Sequence, residues 1–397
     1  MQKAFDSVQW SFLESYLIAL RFPPTFIHWL LECVTNVTFR LQFNGRMHPP
    51  FPGKQGLRQG DPLSPLLFVL TMDYFSRIMR KISTNPGFSY HPNCRKLRLT
   101  HLMFADDLLI FSKANISSLM LVQDALQEFR SSTGLQANSS KSQLILGGCS
   151  ESLHSQCLQL MQMAEAHLPI RYLGVPITSS PLTMMDCNLL VDKITARIRI
   201  WSSRHLSYAG RIALINSVLF GLFNYWATIF LMPQKVISRI TSLCRNFLWG
   251  GKEDHSKPPP PIAWKTVCQA KKHGGLGIKD FEAWNNALIA KLVWAVATKK
   301  DVLWVKWVHG RYLKHQDWWS YNPPLDCSWT WKKICNTKEK FKSGCCGIGL
   351  WDFQGSRHYT PRDGYRWLKG GDTVPWHRLI WSRASIPRHA FIAWIFM

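Results

Sequence analysis

From Leu102 to Phe111 every side chain is apolar except two adjacent aspartates, Asp106 and Asp107. Two strands joined by a tight turn would place both carboxylates at the tip of a hairpin. Like charges that close resist joint ionisation unless a cation compensates them. Oxygen donors of this kind, completed by water and phosphate oxygens, suit Mg²⁺. A bare Asp-Asp pair is most often a solvated turn. Here the four apolar residues on each side argue instead for buried strands.

The chain around this feature has 397 residues, too many for one ordinary core, so two or three domains are expected. A hydrophobic content of 46% fits a globular chain. Lys and Arg number 48 against 24 acids, a net charge of +24 that points to a polyanion or an anionic membrane. The 19 tryptophans could stack on bases, although most are expected in a core. Eleven cysteines without C-x-x-C spacing support neither a disulfide framework nor a zinc module. They favour a reducing compartment. No apolar run follows Met1, so no signal peptide is visible and an intracellular chain is expected. Ile212 to Met232 is uncharged and long enough to span a bilayer. Its Asn216, Ser217, Asn224 and Thr228 fall on one helical stripe, which suits a helix buried on one side in a soluble domain. No membrane partner is expected.

Helical spacing of Phe12, Leu13, Tyr16, Leu17 and Leu20 predicts a first helix, ended by Pro23-Pro24. Val37 to Phe43 reads as a strand, with Asn44-Gly45 supplying a turn. A glycine-containing loop, Gln55 to Asp61, precedes a long helix over Pro62 to Ile82 that begins on proline. Another helix, from about Ser117 to Ser131, is closed by Gly134. Residues 180 to 250 look mostly helical. His255 to Pro261, with four consecutive prolines, reads as a linker.

Gln55-Gly56-Leu57-Arg58-Gln59-Gly60-Asp61-Pro62-Leu63-Ser64-Pro65 resembles the second polymerase motif of the reverse transcriptases of LINE-type (non-LTR) retrotransposons. Lys3-Ala4-Phe5-Asp6-Ser7-Val8 looks like the end of their first motif, and Phe104-Ala105-Asp106-Asp107 like the third. Gly134-Leu135, Asn138 and Lys141-Ser142 resemble the fourth, and Tyr172-Leu173-Gly174-Val175-Pro176 the segment after it. Gly210-Arg211, Phe247-Leu248-Trp249-Gly250-Gly251 and Gly274-Gly275-Leu276-Gly277 are similar to the region beyond the thumb in plant members. Trp376 to Trp394 resembles the start of their zinc-binding region. The chain stops before a Cys/His cluster, so no zinc is expected.

The resemblance implies an α+β fold: a polymerase palm, an antiparallel sheet with packed helices, lacking most of the fingers. It implies a palm over residues 1–178, a helical thumb over 179–254, a basic Trp-rich connecting region over 255–340, and a partial zinc-binding-like region over 341–397. Asp106 and Asp107 would hold two Mg²⁺ ions that join a primer 3′-hydroxyl to a deoxynucleoside triphosphate. Gln59 and Gly60 would border the nucleotide, Phe5 would press on its sugar, and Lys141 would lie near the pyrophosphate as an acid. An RNA template and RNA–DNA hybrid are the implied partners.

In that family the first motif reads Asp-x-x-Lys-Ala-aromatic-Asp, and its leading Asp binds metal. Met1 stands directly after that position. Asp6 is six residues away, ~20 Å along a strand or ~9 Å along a helix, too far to replace it. The chain is expected to be either a fragmentary copy of such an element or a reading frame begun at its first available methionine; a polypeptide of these residues alone is expected to be catalytically defective. The alternative is a non-catalytic nucleic-acid-binding remnant. Arg197, Arg199, Arg204 and Arg211 either line a duplex or form an ordinary solvated face. Lys271-Lys272-His273 lacks a GxxxxGK pattern, and its turn reads as structural.

Overall fold

The computed structural model describes residues 4–202, 206–251, 260–345, 351–352 and 357–397. Lys3, Arg204 and residues 255–259 of the expected linker lie outside them. The chain forms two compact units, Met1–His167 and Leu168–Met397; among the described residues the first combines helices with four two-stranded sheets, and the second combines helices with one.

The first unit opens with α1 (Trp10–Ala19) and α2 (Pro24–Thr35), the second starting on the proline whose fixed φ suits a first turn. A ribbon follows: β1 (Thr38–Phe39) pairs with β4 (Phe51–Pro52), and β2 (Gln42–Phe43) with β3 (Arg46–Met47). Asn44 and Gly45 both have positive φ, 48° and 75°, the conformation that a two-residue hairpin turn requires. The single strand expected over Val37 to Phe43 is therefore broken. Pro49 and Pro50 face the lone Arg40, so the ladder is interrupted where proline could not donate to it.

Helix α3 (Ser64–Ile82) buries Leu67, Phe68, Met72, Phe75, Ile78, Met79 and Ile82 at spacings of three and four. The hairpin β5 (His101–Phe104) and β6 (Asp107–Ile110) comes next, then α4 (Ile116–Thr133). Asn115 caps α4 by accepting the Ser118 N–H at 2.9 Å, and Gly134 ends it at φ 78°. Helices α3 and α4 enclose a core of Val8, Leu13, Leu57, Phe68, Phe75, Met79, Val122, Phe129 and Leu135. A parallel pair, β7 (Gln143–Leu144) and β8 (Ala164–Glu165), with α5 (Glu151–Met161) between them, completes the unit.

The second unit begins with the hairpin β9 (Ile170–Tyr172) and β10 (Val175–Ile177). Then come α6 (Asn188–Ser202), α7 (Tyr208–Leu214), a π-helical turn over Ile215–Leu219, α8 (Phe220–Ala227) and α9 (Gln234–Gly250). Their core includes Ile194, Ile198, Leu219, Phe223, Ile240 and Phe247. The uncharged stretch from Ile212 runs through α7, the π-helical turn and α8, buried on one side at Ile215, Leu219, Phe223 and Trp226 and exposed at Ser217 and Thr228, while two of its polar residues meet the rest of the unit. Asn224 accepts the Trp284 indole N–H at 2.7 Å, and Asn216 donates to the Gly277 carbonyl at 3.4 Å. No helix among the described residues is long and apolar enough to cross a membrane.

Beyond residue 260 lie α10 (Trp264–Val267), α11 (Phe281–Ala297), α12 (Leu303–Val308), α13 (Trp329–Phe341), α14 (Pro361–Lys369), α15 (His377–Ile380) and α16 (Pro387–Phe396). Trp318, Trp331, Trp351 and Trp394 are buried, so these indoles serve as packing. The Gly274-Gly275 turn is structural as its sequence suggested. A Cβ on Gly275 would lie 2.2 Å from the Gln269 carbonyl oxygen, and Trp394 donates to the Gly274 carbonyl at 2.8 Å. The nine described cysteines from Cys33 to Cys335 are free thiols.

Lys338 is 1% exposed. Its ammonium donates to the carbonyls of Tyr321 at 2.6 Å, Trp318 at 3.3 Å and Trp319 at 3.4 Å, and it pairs with Glu339 at 3.0 Å. A buried charge persists only when saturated in this way. Lys338→Met should lower unfolding free energy by about 2–4 kcal/mol, because it orphans three carbonyls. Glu339→Gln, at a more exposed partner, should change it by about 1 kcal/mol or less. Denaturant titration of the two variants measures the difference.

Candidate active site

Residues 4 to 9 run between two other segments and are tied to both. Phe5–Ser7 forms one 3₁₀ turn flanked by buried Ala4 and Val8. The Phe5 ring stacks on Phe68 of α3 with centroids 4.8 Å apart and planes at 18°. On one side, Leu57 donates its N–H to the Phe5 carbonyl at 2.6 Å, and Gly56 donates to Val8 at 2.8 Å. On the other, Gln9 donates to the Thr133 carbonyl at 3.0 Å. Gly56 has φ 93°, and a Cβ there would lie 2.8 Å from the Asp6 carbonyl oxygen. Gly134 has φ 78°, and its Cβ would lie 2.6 Å from the Ser7 carbonyl oxygen. Both collisions are with backbone, so only glycine permits the approach.

The loop after Gly56 is fixed from its charged residues. Arg58 pairs with Asp61 at 3.0 Å and donates to the Cys33 carbonyl at 2.9 Å. Asp61 in turn accepts the Leu63 N–H at 2.9 Å, just before α3 begins. Gln59 and Gly60 lie exposed between these anchors, Gly60 at φ 92° with open space where a side chain would be. Lys141 is exposed on a turn organised by Asn138, whose carbonyl and Oδ1 both accept the Lys141 N–H at 3.1 Å.

The hairpin carrying the aspartates has Phe104 opposite Asp107, so Ala105 and Asp106 form the turn. Of these two, only Ala105 has positive φ, 50°. Its strands are not buried on both faces, contrary to the expectation from their apolar flanks. Met103, Leu108 and Ile110 pack against the core of the unit, while Phe104 is 61% exposed and Leu102 38%. A two-stranded sheet has one face to cover, and strand alternation puts Asp107 with Phe104 on the open one. Asp106 and Asp107 are both exposed at the tip. Among the described residues no group of three or more His, Cys, Asp or Glu side chains is placed to hold a metal ion.

At the base of β5, His101 shares hydrogen bonds with Ser76 at 3.1 Å and Thr100 at 2.8 Å, and meets the Phe75 ring edge-on at 5.6 Å. Burial, aided by Arg80, holds its pKa below the ordinary value. The hydrogen bonds of His101, and the close backbone approaches at Gly56 and Gly134, were not foreseen from the sequence. The signal for His101 was a polar residue opening an apolar run.

In the second unit Arg211 is engaged internally. It donates to the Leu248 carbonyl at 2.9 Å near the end of α9 and lies 5.2 Å from the centre of the Tyr208 ring. Arg197 and Arg199 are exposed on α6.

Residues 1–177 match the family described as reverse transcriptase (RNA-dependent DNA polymerase). A putative ribonuclease H protein of Arabidopsis thaliana is 30% identical over 200 residues, covering 49% of this chain and 31% of that protein. The transposon TX1 uncharacterized 149 kDa protein of Xenopus laevis is 26% identical over 262 residues, covering 63% and 19%. The Pol polyprotein from the type-2 retrotransposable element R2DM of Drosophila melanogaster is 30% identical over 141 residues, covering 36% and 13%. The reverse-transcriptase match spans the first unit and the β9–β10 hairpin, and so contains the Asp106–Asp107 turn. The chain spans less than a third of the length of these relatives.

Two variants test the local framework. Gly45→Ala, with nothing within 4 Å of its Cβ, should cost only the backbone term of about 1–2 kcal/mol. Gly56→Ala should cost clearly more, and chemical denaturation ranks the two. His101 sets a pH dependence. Its folded pKa is depressed, so the unfolded chain takes up the proton first. Stability is full above about pH 6.5 and is lost as pH falls below that value. Melting curves between pH 7.5 and 5 should show a steeper loss for the native chain than for His101→Gln.

Proposed function

We propose that the chain is the polymerase region of a non-LTR retroelement, catalysing RNA-directed DNA synthesis by two-metal nucleotidyl transfer. The observation that carries the reading is an exposed Asp106–Asp107 pair at a hairpin tip inside the reverse-transcriptase match. The finer layout belongs to the same proposal: palm over 1–178, thumb over 179–254, connecting region over 255–340 and zinc-binding-like region over 341–397.

Adjacent exposed carboxylates are hard oxygen donors, a chemistry that fits Mg²⁺, so Asp106 and Asp107 are assigned as its protein ligands. Bound there, the ions would activate the primer hydroxyl and neutralise the departing pyrophosphate. Phe5 presents a ring fixed by Phe68 for the nucleotide sugar. Gln59 and Gly60, held between Arg58 and Asp61, border the base and triphosphate. Lys141 can move a proton toward the leaving oxygen. The substrates are deoxynucleoside triphosphates on an RNA template or RNA–DNA hybrid, which the net charge of +24 would attract.

Primer extension on poly(rA)/oligo(dT) with Mg²⁺ tests the reading. Asp106→Asn or Asp107→Asn should lower deoxynucleotide incorporation at least about 10²-fold relative to the same polypeptide without the substitution. Undiminished incorporation by either variant would sink the assignment. Salt-sensitive binding without extension in any form would mark the alternative, a non-catalytic nucleic-acid-binding remnant.

A further inference from the structure

Lys279 stands just before α11, and its ammonium lies 4.0 Å from the centre of the Trp284 ring and 4.4 Å from that of Phe220. The Trp284 ring is held in place. It donates its indole N–H to Asn224 at 2.7 Å and meets Tyr365 of α14 edge-on at 5.5 Å. Ring faces attract a cation but bring no compensating charge. Burial, aided by the Arg362 guanidinium, holds the Lys279 amine below the ordinary lysine pKa.

The acids nearest in sequence are turned elsewhere. Asp280 caps α11 by accepting the Ala283 N–H at 3.0 Å, and it pairs with Lys369 at 3.2 Å. Glu282 accepts from the Gln234 amide at 3.3 Å. Asp363 accepts the Thr360 hydroxyl at 2.6 Å and lies 3.7 Å from Arg366. Arg362, Tyr365 and Lys369 share one stripe of α14, and the last two both reach Asp280. Arg362 therefore sits on the side of α14 that faces the start of α11. Among the described residues neither Lys279 nor Arg362 has a carboxylate partner.

Two cations kept together beside aromatic rings, with the local carboxylates committed, leave a place for an anion. A single group with a charge of about −2 neutralises both, which a phosphate monoester supplies near neutral pH and one phosphodiester does not. A polynucleotide needs a longer track of cations, and here Asp280, Glu282 and Asp363 flank the pair. We propose that Lys279 and Arg362 form a binding site for a small phosphate monoester beside Trp284 and Phe220, in the second unit and outside the reverse-transcriptase match.

Pyridoxal 5′-phosphate is the probe. The lysine amine attacks its aldehyde carbon, water leaves, and borohydride reduces the imine to a stable amine that peptide mass mapping locates. Lys279 should be labelled about ten-fold more by this compound than by pyridoxal, which lacks the phosphate. Arg362→Gln, at an exposed position, should remove that difference, whereas Arg366→Gln, one turn further along α14, should keep it. Inorganic phosphate should protect Lys279 and leave the exposed Lys300 and Lys314 labelled.

Equal labelling of Lys279 by the two aldehydes would overturn the proposal, as would a phosphate preference that survives in Arg362→Gln. So would protection by a 20-nucleotide oligo(dT) with a 5′-hydroxyl where inorganic phosphate gives none, since a polynucleotide would then be the occupant. Both aldehydes react with the same amine, so their ratio reads phosphate recognition alone. Labelling needs no polymerisation, and its outcome stands apart from that of primer extension.

Discussion

Two glycines decide whether the first unit can assemble. The strip of chain from Phe5 to Gln9 lies against the backbone of two other segments, and at both contacts a methyl group would collide with a carbonyl oxygen that cannot withdraw. With that approach secured, Val8, Leu57 and Leu135, one from each segment, fall into a common core. The same core receives Met103, Leu108 and Ile110 from beneath the aspartate hairpin. Stretches far apart in sequence thus hold a common position through ordinary apolar packing, with backbone hydrogen bonds fixing their register.

Several elements were legible because their signals are local. Gly134 after α4 and Asn44-Gly45 in the ribbon each act through their own φ angles, whereas the helix expected from Pro62 begins at Ser64, with Pro65 in its first turn. The turn at Asp106 followed from placing two charges inside an apolar run. What failed was inference about neighbours. Apolar flanks suggested covered strands, but composition does not say how many layers lie above a sheet, and here Phe104 faces outward. Arg211 showed the same limit. A guanidinium that meets a helix-end carbonyl and one that meets a phosphate read identically in sequence. The unbroken strand expected across Val37 to Phe43 failed because its partner carries Pro49-Pro50, a nonlocal cause.

The second unit keeps polar groups inside an apolar interior by saturating them. Asn285, fully buried, donates to the carbonyls of Ala227 at 2.9 Å and Phe230 at 2.8 Å, and accepts the Met232 N–H at 2.7 Å. It thereby closes the end of α8 onto α11. Lys338 does the same for residues 318–321. In both cases one side chain replaces the water that irregular backbone would otherwise need.

The period of the aspartate hairpin bears on how such a gene can drift. Substitution of Leu102 or Leu109 alters only the uncovered side of a two-layer arrangement. Loss of a single codon within β5 is a different event, since it moves every following side chain to the opposite face. Asp107 would then turn toward the hydrocarbon and a packing residue toward water. Substitutions at Leu102 and Leu109 should therefore be borne far better than any change in the hairpin's length.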